Sequence, residues 1–316
     1  MPASPDNPFD LEQPQAYARW RAAKLAQQPR CVEDLVVEVR DPRCLSASER
    51  AALLHRCAAS NMVVYRSPVL EDGKELAHLL GAQLGLHRLD ANWLADEDGI
   101  SPIAVSPNPG ARADFIPYTD KAIRWHTDGY YHPQARRIEG MILHCVRAAG
   151  EGGESGLVDH DRLYLELRDA NPAWVRALME PQAMTIPERT DEHGVARPAQ
   201  SGPVFSVLNG PDGAYALHMR YTARTRSIAW KDDADTRAAV AFLERLLASD
   251  APWIFRLRLQ PGMGIVANNV PHERTAFTDD PKQPRLLYRA RYLDRVGSAS
   301  PHPAAERKAA LAEWQT

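Results

Sequence analysis

From about residue 100 the chain breaks into short apolar runs separated by proline and glycine, and this texture constrains the fold more than any other feature. The runs fall at 103–105, 141–146, 156–158, 184–187, 204–208, 215–219, 254–259, 264–267 and 285–293. Only two stretches among them, 162–168 and 235–247, have helical composition. Many short strands with few helices predict a sheet closed on itself, as a sandwich or barrel. A parallel α/β fold would need helices alternating with strands and a glycine-rich βα turn. The segment 150–156 is rich in glycine, but it lacks both the Lys-Ser/Thr of a phosphate loop and the GxGxxG of a dinucleotide site.

The first 85 residues read as mixed α/β. A helix is expected over 17–26, with Trp20 able to anchor it to the body, after a loose leader over 1–15. A strand is expected over 35–39. Ser46 followed by Glu49 makes a capping box for a helix through Ser60. A strand over 62–65 and a helix over 71–84 follow. The expected division is an N-terminal leader and helix (1–30), one domain (31–297) whose β core occupies about 100–295, and a tail (298–316).

With 316 residues, 44% of them apolar, the chain can bury one large core. Its formal net charge of −3 and pI near 6.4 give no basic excess of the kind a phosphate-backbone binder shows. No apolar run approaches the roughly 20 residues that span a bilayer. The start, Met1 to Asp10, has neither the basic residues nor the apolar stretch of a secretory signal. Cys31, Cys44, Cys57 and Cys145 are scattered and form no CxxC pair, which suits reduced thiols. A cytoplasmic protein acting on a small molecule is expected, without nucleic-acid or membrane partners; a homo-oligomer is left open.

One constellation carries chemistry. In Trp125-His126-Thr127-Asp128, an extended backbone points His126 and Asp128 to one face, where both can reach one metal. Alone the motif is weak, since a chain with 11 histidines meets an HxD pair by chance, and a polar turn before a strand explains it equally. Downstream, the Gln260-Pro261-Gly262 turn leads into a strand and then to Asn268-Asn269-Val270-Pro271-His272. A histidine at a strand end can complete a two-His, one-carboxylate facial set, which leaves positions on an iron open; closed zinc sites favour four ligands, often with cysteine. The segment 285–293 places Arg285, Arg289 and Arg291 on one strand face with Leu287. Such guanidinium groups can clamp a carboxylate ligand, or else lie in water on an exposed edge strand or pair internally with Glu or Asp. His144, on an apolar strand, reads as a satisfied core histidine rather than a ligand.

The order of these motifs resembles the Fe(II)/2-oxoglutarate dioxygenases of the taurine dioxygenase/TfdA superfamily. Three stretches look closest to its γ-butyrobetaine hydroxylase-like branch: Trp125 to Tyr131, Leu143-His144-Cys145 continuing to Gly152-Gly153-Glu154-Ser155, and His272-Glu273-Arg274 running to Arg285 and Tyr292-Leu293-Asp294-Arg295. The resemblance implies a double-stranded β-helix (jelly-roll, clavaminate synthase-like) core, mainly β, with helices outside. It implies Fe(II) on His126, Asp128 and His272, the distal carboxylate of 2-oxoglutarate on Arg285 with the Ser155 hydroxyl, Arg289 facing cosubstrate or substrate, and O₂ as oxidant. A carboxylate at 128 suits hydroxylation, because the related halogenases leave that ligand position empty. Two departures bear on the substrate: Asn268 stands where an acidic residue is usual, and the Cys-rich zinc module of the branch is missing.

Candidate substrate residues are Tyr130, Tyr131, Arg291 and Tyr221. Aromatic walls suit a quaternary ammonium group and equally a flat apolar substrate, and packing alone is the commoner reason for any single tyrosine. Arg289, Arg291 and the segment His218 to Arg224 suit an anion, although a strand followed by a solvated turn would explain that segment too. Tyr118 and Lys121 lie upstream and are given no role. Two other readings compete: a zinc-dependent hydrolase or isomerase on the same residues, and a non-catalytic cupin-like binding module.

Overall fold

Hydrophobic residues in this chain sort into three clusters, and the sheets lie between them. The computed structural model describes residues 6–71, 73–90, 99–106, 116–191, 194–209, 214–224 and 228–298. Ten strands build two main sheets: β1 (Val36–Glu38), β2 (Met62–Arg66), β3 (Ile100–Ile103), β4 (Ile123–His126), β5 (Gly140–Arg147), β6 (Ser155–Val158), β7 (Ile254–Leu257), β8 (Met263–Ala267), β9 (His272–Arg274) and β10 (Leu286–Tyr292). The larger sheet runs β1-β2-β8-β5-β10-β3 and the smaller β7-β6-β9-β4. All neighbours are antiparallel except β1 and β2.

The central cluster lies between the sheets. It joins Cys145, Ile265 and Leu287 of the larger sheet to Leu157, Phe255 and Leu257 of the smaller. Side chains alternate along a strand, so the opposite faces need cover of their own. On β10, Ala290 and Tyr292 turn away from Leu287 and join Leu53, Leu76 and Leu80. Those leucines come from α2 (Ala47–Ser60) and α3 (Glu75–Gln83), which follow α1 (Pro14–Ala26). On the smaller sheet, Trp125, Val158 and Ile254 face outward. They pack with α4 (His160–Ala170), α5 (Pro172–Leu178) and α6 (Ala234–Leu247). The result is the expected jelly roll with helices outside. Among the described residues, no helix is long and apolar enough to cross a membrane.

Local chemistry sets several boundaries. Ser46 Oγ accepts the Glu49 amide at 3.2 Å and Glu49 Oε2 accepts the Ser46 amide at 2.7 Å, so the expected capping box starts α2. The turn into β8 needs glycine. Gly262 has φ +82°, and a Cβ there would stand 2.3 Å from the Ser67 carbonyl oxygen.

Other elements differ from expectation. The helix over 71–84 begins only at Glu75, and the strand expected at 103–105 lies at Ile100–Ile103. Helix α5 was hidden by Pro172, which reads as a breaker; at the first helical position its missing N–H matters little, and Asn171 Oδ1 caps the Ala173 amide at 3.0 Å. Residues 6–15 are docked rather than loose. Phe9 is buried, with its ring 5.1 Å from Trp20 and 5.5 Å from Tyr164, so Trp20 anchors α1 as expected.

Candidate active site

His126 closes β4 and His272 opens β9, and the two pair directly across the antiparallel ladder. Directly opposed residues share a sheet face. Their rings lie 4.3 Å apart between centroids, on the face that carries Leu157 inward. Asp128 follows two residues after His126, where the chain has left the sheet. Asn269 holds it there: its Oδ1 accepts the Asp128 amide at 2.8 Å, and its Nδ2 donates to the carbonyls of Asp128 at 2.9 Å and Ile138 at 2.7 Å. Asn269 adopts φ +49°, a left-handed conformation that asparagine tolerates better than most residues.

The donor atoms are prepared for a cation. Nδ1 of His126 lies 2.9 Å from the Arg124 carbonyl, and Nδ1 of His272 lies 2.9 Å from the Val270 carbonyl. A carbonyl only accepts, so each Nδ1 carries the proton and each Nε2 presents a lone pair. Burial pushes His126 down to about 3, with His272 adding to the effect, and burial lowers His272 as well; both rings are neutral. Burial would raise the Asp128 carboxyl, but Arg289 and Arg291 outweigh it and hold the group well below the usual carboxylate range. Asp128 Oδ1 accepts Arg289 at 3.1 Å, while the buried Oδ2 has no partner. One ligand atom from each of the three residues lies within 4.8 Å of the others. Two neutral imidazoles, one carboxylate and an unpaired buried oxygen fit a divalent transition metal.

The arginine face of β10 points into the same interior. Arg285 and Ser155 line one pocket with Gly153, Arg258 and Leu287. Arg285 is buried and its NH1 has no partner. A buried charged donor left unpaired is matched by a carboxylate ligand. Arg289 reaches Asp128, and Arg291 is tied to Asp90 at 2.5 Å and to the Tyr131 hydroxyl at 3.1 Å.

A profile of the taurine catabolism dioxygenase TauD, TfdA family matches residues 28–291. The chain belongs to the TauD/TfdA family. It is a 2-oxoglutarate-dependent dioxygenase that uses Fe(II). A uridine-5'-phosphate dioxygenase of Amycolatopsis sp. is 30% identical over 285 residues, covering 83% of this chain and 98% of the relative. A second uridine-5'-phosphate dioxygenase, of Streptomyces sp., is 34% identical over 202 residues, covering 62% of this chain and 70% of the relative. Among solved structures, asparagine oxygenase with Fe(II), 3-hydroxyasparagine and succinate superposes with a TM-score of 0.56 at 18% identity, over 92% of this chain and 86% of that one. The non-heme iron oxygenase OrfP with Fe and α-ketoglutaric acid gives 0.57 at 18% identity, over 80% and 81%. These two share the fold.

In this TauD/TfdA chain the remaining candidates lie on the other side of Asp128. Tyr130 lines a second pocket with Asp128, His132, Arg137, His218 and Arg220. Tyr130 and Tyr131 meet edge to face with centroids 5.2 Å apart. Tyr221 is placed differently from the rest: its ring is 1% exposed and packs in the outer cluster, with Trp230 at 6.3 Å. Only its backbone meets the site, its carbonyl accepting the Thr127 amide at 2.9 Å. Arg220 is committed to carbonyls, those of Tyr130 at 2.7 Å, Gln200 at 2.8 Å and Met184 at 2.9 Å. His144 bonds the Tyr65 hydroxyl at 2.8 Å in the larger sheet, as a core histidine would.

Two features escaped the sequence reading. Asn269 gave no sign beyond being a second asparagine before the strand. Thr222 and Arg224 belong to the segment 218–224 that suits an anion, but only Tyr221 of the three stands as a single candidate there; strand alternation, which puts neighbours on opposite faces, is the signal that separates them.

Proposed function

We propose that His126, Asp128 and His272 hold the iron, that Arg285 and Ser155 take the distal carboxylate of 2-oxoglutarate, and that the substrate is an anionic, phosphate-bearing small molecule of the nucleoside monophosphate kind. The observation that carries the substrate reading is an imbalance of charge. Arg289 and Arg291 flank Asp128, while Arg197, Arg220 and Arg224 stand around the two tyrosines. The carboxylates that pair with any of these five, among the described residues, are Asp128 and Asp90. A cleft with surplus positive charge concentrates anions. It also repels the quaternary ammonium that Tyr130 and Tyr131 would otherwise suit, since Arg224 and Arg291 already approach their hydroxyls at 3.5 Å and 3.1 Å. The uridine-5'-phosphate dioxygenase relatives support the same class.

Bound iron, with 2-oxoglutarate and O₂, supplies the oxidising power that takes hydrogen from a C–H bond, and succinate and CO₂ are released. The chain's own residues prepare that chemistry. The Arg124 and Val270 carbonyls keep both imidazoles in the ligating tautomer, and Asn269 fixes the backbone that carries Asp128. Arg289 bonds one carboxylate oxygen, and so aims the other toward the two histidines. Arg285 offers a buried, unpaired charged donor to the cosubstrate, where the local dielectric is low and the bond is strong. A zinc hydrolase would leave the Arg285 and Ser155 cavity without a role. We further take 31–297 as one catalytic domain, which the family match over 28–291 supports. We place it in the cytoplasm, a reading supported by the four unpaired cysteines.

Anaerobic addition of Fe(II) and 2-oxoglutarate should give the visible charge-transfer band of the chelate, absent in His126→Ala. On admitting O₂, uridine 5'-phosphate should raise succinate release above uridine and above γ-butyrobetaine. An unchanged band in His126→Ala would overturn the ligand set. Stimulation by γ-butyrobetaine and by no phosphate compound would overturn the substrate class.

A further inference from the structure

The segment after Met219 runs beside β4 without belonging to a named strand. Thr222 pairs antiparallel with His126, the Tyr221 carbonyl accepts the Thr127 amide at 2.9 Å, and the Ala223 amide donates to the Trp125 carbonyl at 2.8 Å. The pairing continues the smaller sheet by one more edge, so that His126 lies between His272 and Thr222. Opposed residues share a face, with Cβ atoms about 5 Å apart. The Thr222 side chain therefore stands beside the His126 imidazole on the inner face. It is fully buried, and its hydroxyl has no partner. A buried hydroxyl without a partner is destabilising unless a ligand satisfies it.

Two residues on, alternation returns Arg224 to the same face. It is half-buried, and its NH1 lies 3.5 Å from the Tyr130 hydroxyl. Among the described residues no carboxylate pairs with it. Neighbouring positive charge adds to the effect. Arg197 is close enough to Tyr130 and Tyr131 to feel both, its guanidinium donating to the carbonyls of Pro187 at 2.6 Å and Pro198 at 3.2 Å. Arg220 is held by carbonyls below it. Of these three, Arg224 alone has no carbonyl partner among the described residues, the Tyr130 hydroxyl at 3.5 Å being its one contact there.

We propose that Arg224 and the Tyr130 hydroxyl bind the anionic terminus of the substrate, a phosphate or carboxylate, and that the Thr222 hydroxyl bonds the substrate beside His126. The extended backbone sets the spacing. Residues two apart in a strand are about 7 Å apart, so a substrate held at its anionic end by Arg224 presents its middle to Thr222 and the iron ligands. This assignment rests on the anionic-substrate reading above and names the groups that enforce it.

The test uses the holoenzyme loaded with Fe(II) and 2-oxoglutarate under anaerobic conditions, titrated calorimetrically with inorganic phosphate. Wild type should bind it. Arg224→Gln should weaken binding about tenfold or more, the loss expected for a charged hydrogen bond, and Arg224→Lys should recover part of it. Acetate in a parallel titration separates the sources: tighter acetate binding, lost in Arg224→Gln, would make the group a carboxylate and keep the assignment. Equal affinity in wild type and Arg224→Gln, or no binding of either anion to wild type, overturns it. For Thr222, the isosteric Thr222→Val should raise KM for uridine 5'-phosphate about tenfold while Thr222→Ser stays near wild type; equal behaviour of the two variants would show the hydroxyl to be idle. Turnover is scored apart. Phosphate binding at Arg224 without turnover of uridine 5'-phosphate would sink the substrate reading and leave the anion site standing. Turnover with an unchanged KM in Arg224→Gln would do the reverse.

Discussion

Among the described residues, two clusters offer metal-ligating atoms within 4.8 Å of one another, and they are opposite in character. One is His126, Asp128 and His272; the other is Asp159, His160 and Asp161. In the second, the cation is built in. Lys24 of α1 places its ammonium 2.9 Å from Asp159 and 2.6 Å from Asp161, and the Asn61 amide donates to both carboxylates at 2.8 Å. Arg295 and Asn268 in turn donate to the Asn61 oxygen. In the first cluster the nearest cation, Arg289, covers one oxygen of Asp128 and leaves the other bare. Ligand-type residues alone therefore do not mark a metal site. Asp161 Oδ1 also lacks a hydrogen-bond partner, so a bare oxygen alone does not separate the two clusters. The lysine and the histidines do, since His160 spends its Nε2 on the Leu217 carbonyl at 3.0 Å while His126 and His272 are held through Nδ1 and both present Nε2.

The contrast can be broken most directly by removing one charge from each cluster. Asp128→Ala should abolish succinate release and the charge-transfer band, whereas Lys24→Met should leave the band of the folded protein intact. Instead, Lys24→Met should lower the denaturation free energy by about 3–5 kcal/mol, because two buried carboxylates lose their cation. Loss of the band in Lys24→Met as complete as in Asp128→Ala would erase the distinction. Asn269→Ala tests the support of the first cluster: iron affinity should fall about 10–100-fold, the usual consequence of losing a group that orients a ligand. Arg285→Ala should raise the KM for 2-oxoglutarate by about 10–100-fold with little change in iron affinity; equal loss of both would make the arginine structural.

The smallest expected effect is on acid stability. Burial raises the Asp161 carboxyl, but Lys24 outweighs it and holds the group at about 2, below its ordinary 3.8. A group depressed in the folded state contributes stability above its unfolded pKa and loses it as pH falls toward the folded value. The urea midpoint should drop between about pH 4 and pH 2 in wild type, and the drop should be shallower in Lys24→Met. Identical slopes would mean that the pair does not govern that window.

How legible each part was depended on the kind of information it required. The strands carrying Ile142, Ile265 and Leu287 were visible because an apolar run bounded by proline or glycine has few other uses. Strands β4 and β9 were not, because Ile123–His126 and His272–Arg274 are short and polar and exist as strands only by pairing with each other and with β6. Helix α5 was masked by a proline that helps to start it. The second cluster drew no notice, since Lys24 lies 135 positions or more from the aspartates it pairs with.

Read in one dimension, the chain already shows the chemistry available: two histidines and an aspartate that could hold a metal ion, an arginine a set interval beyond them, and short strands that must close on themselves. Ligand chemistry admits few residue types, and strand texture is local, so both survive in one dimension. Only the tertiary structure decided which side chains face that chemistry. Tyr221 and Thr222 are neighbours, yet pairing with β4 sends the tyrosine into the outer core and the threonine to the side of His126. A shift of one residue exchanges the two faces of a strand, and only the partner strand sets that register.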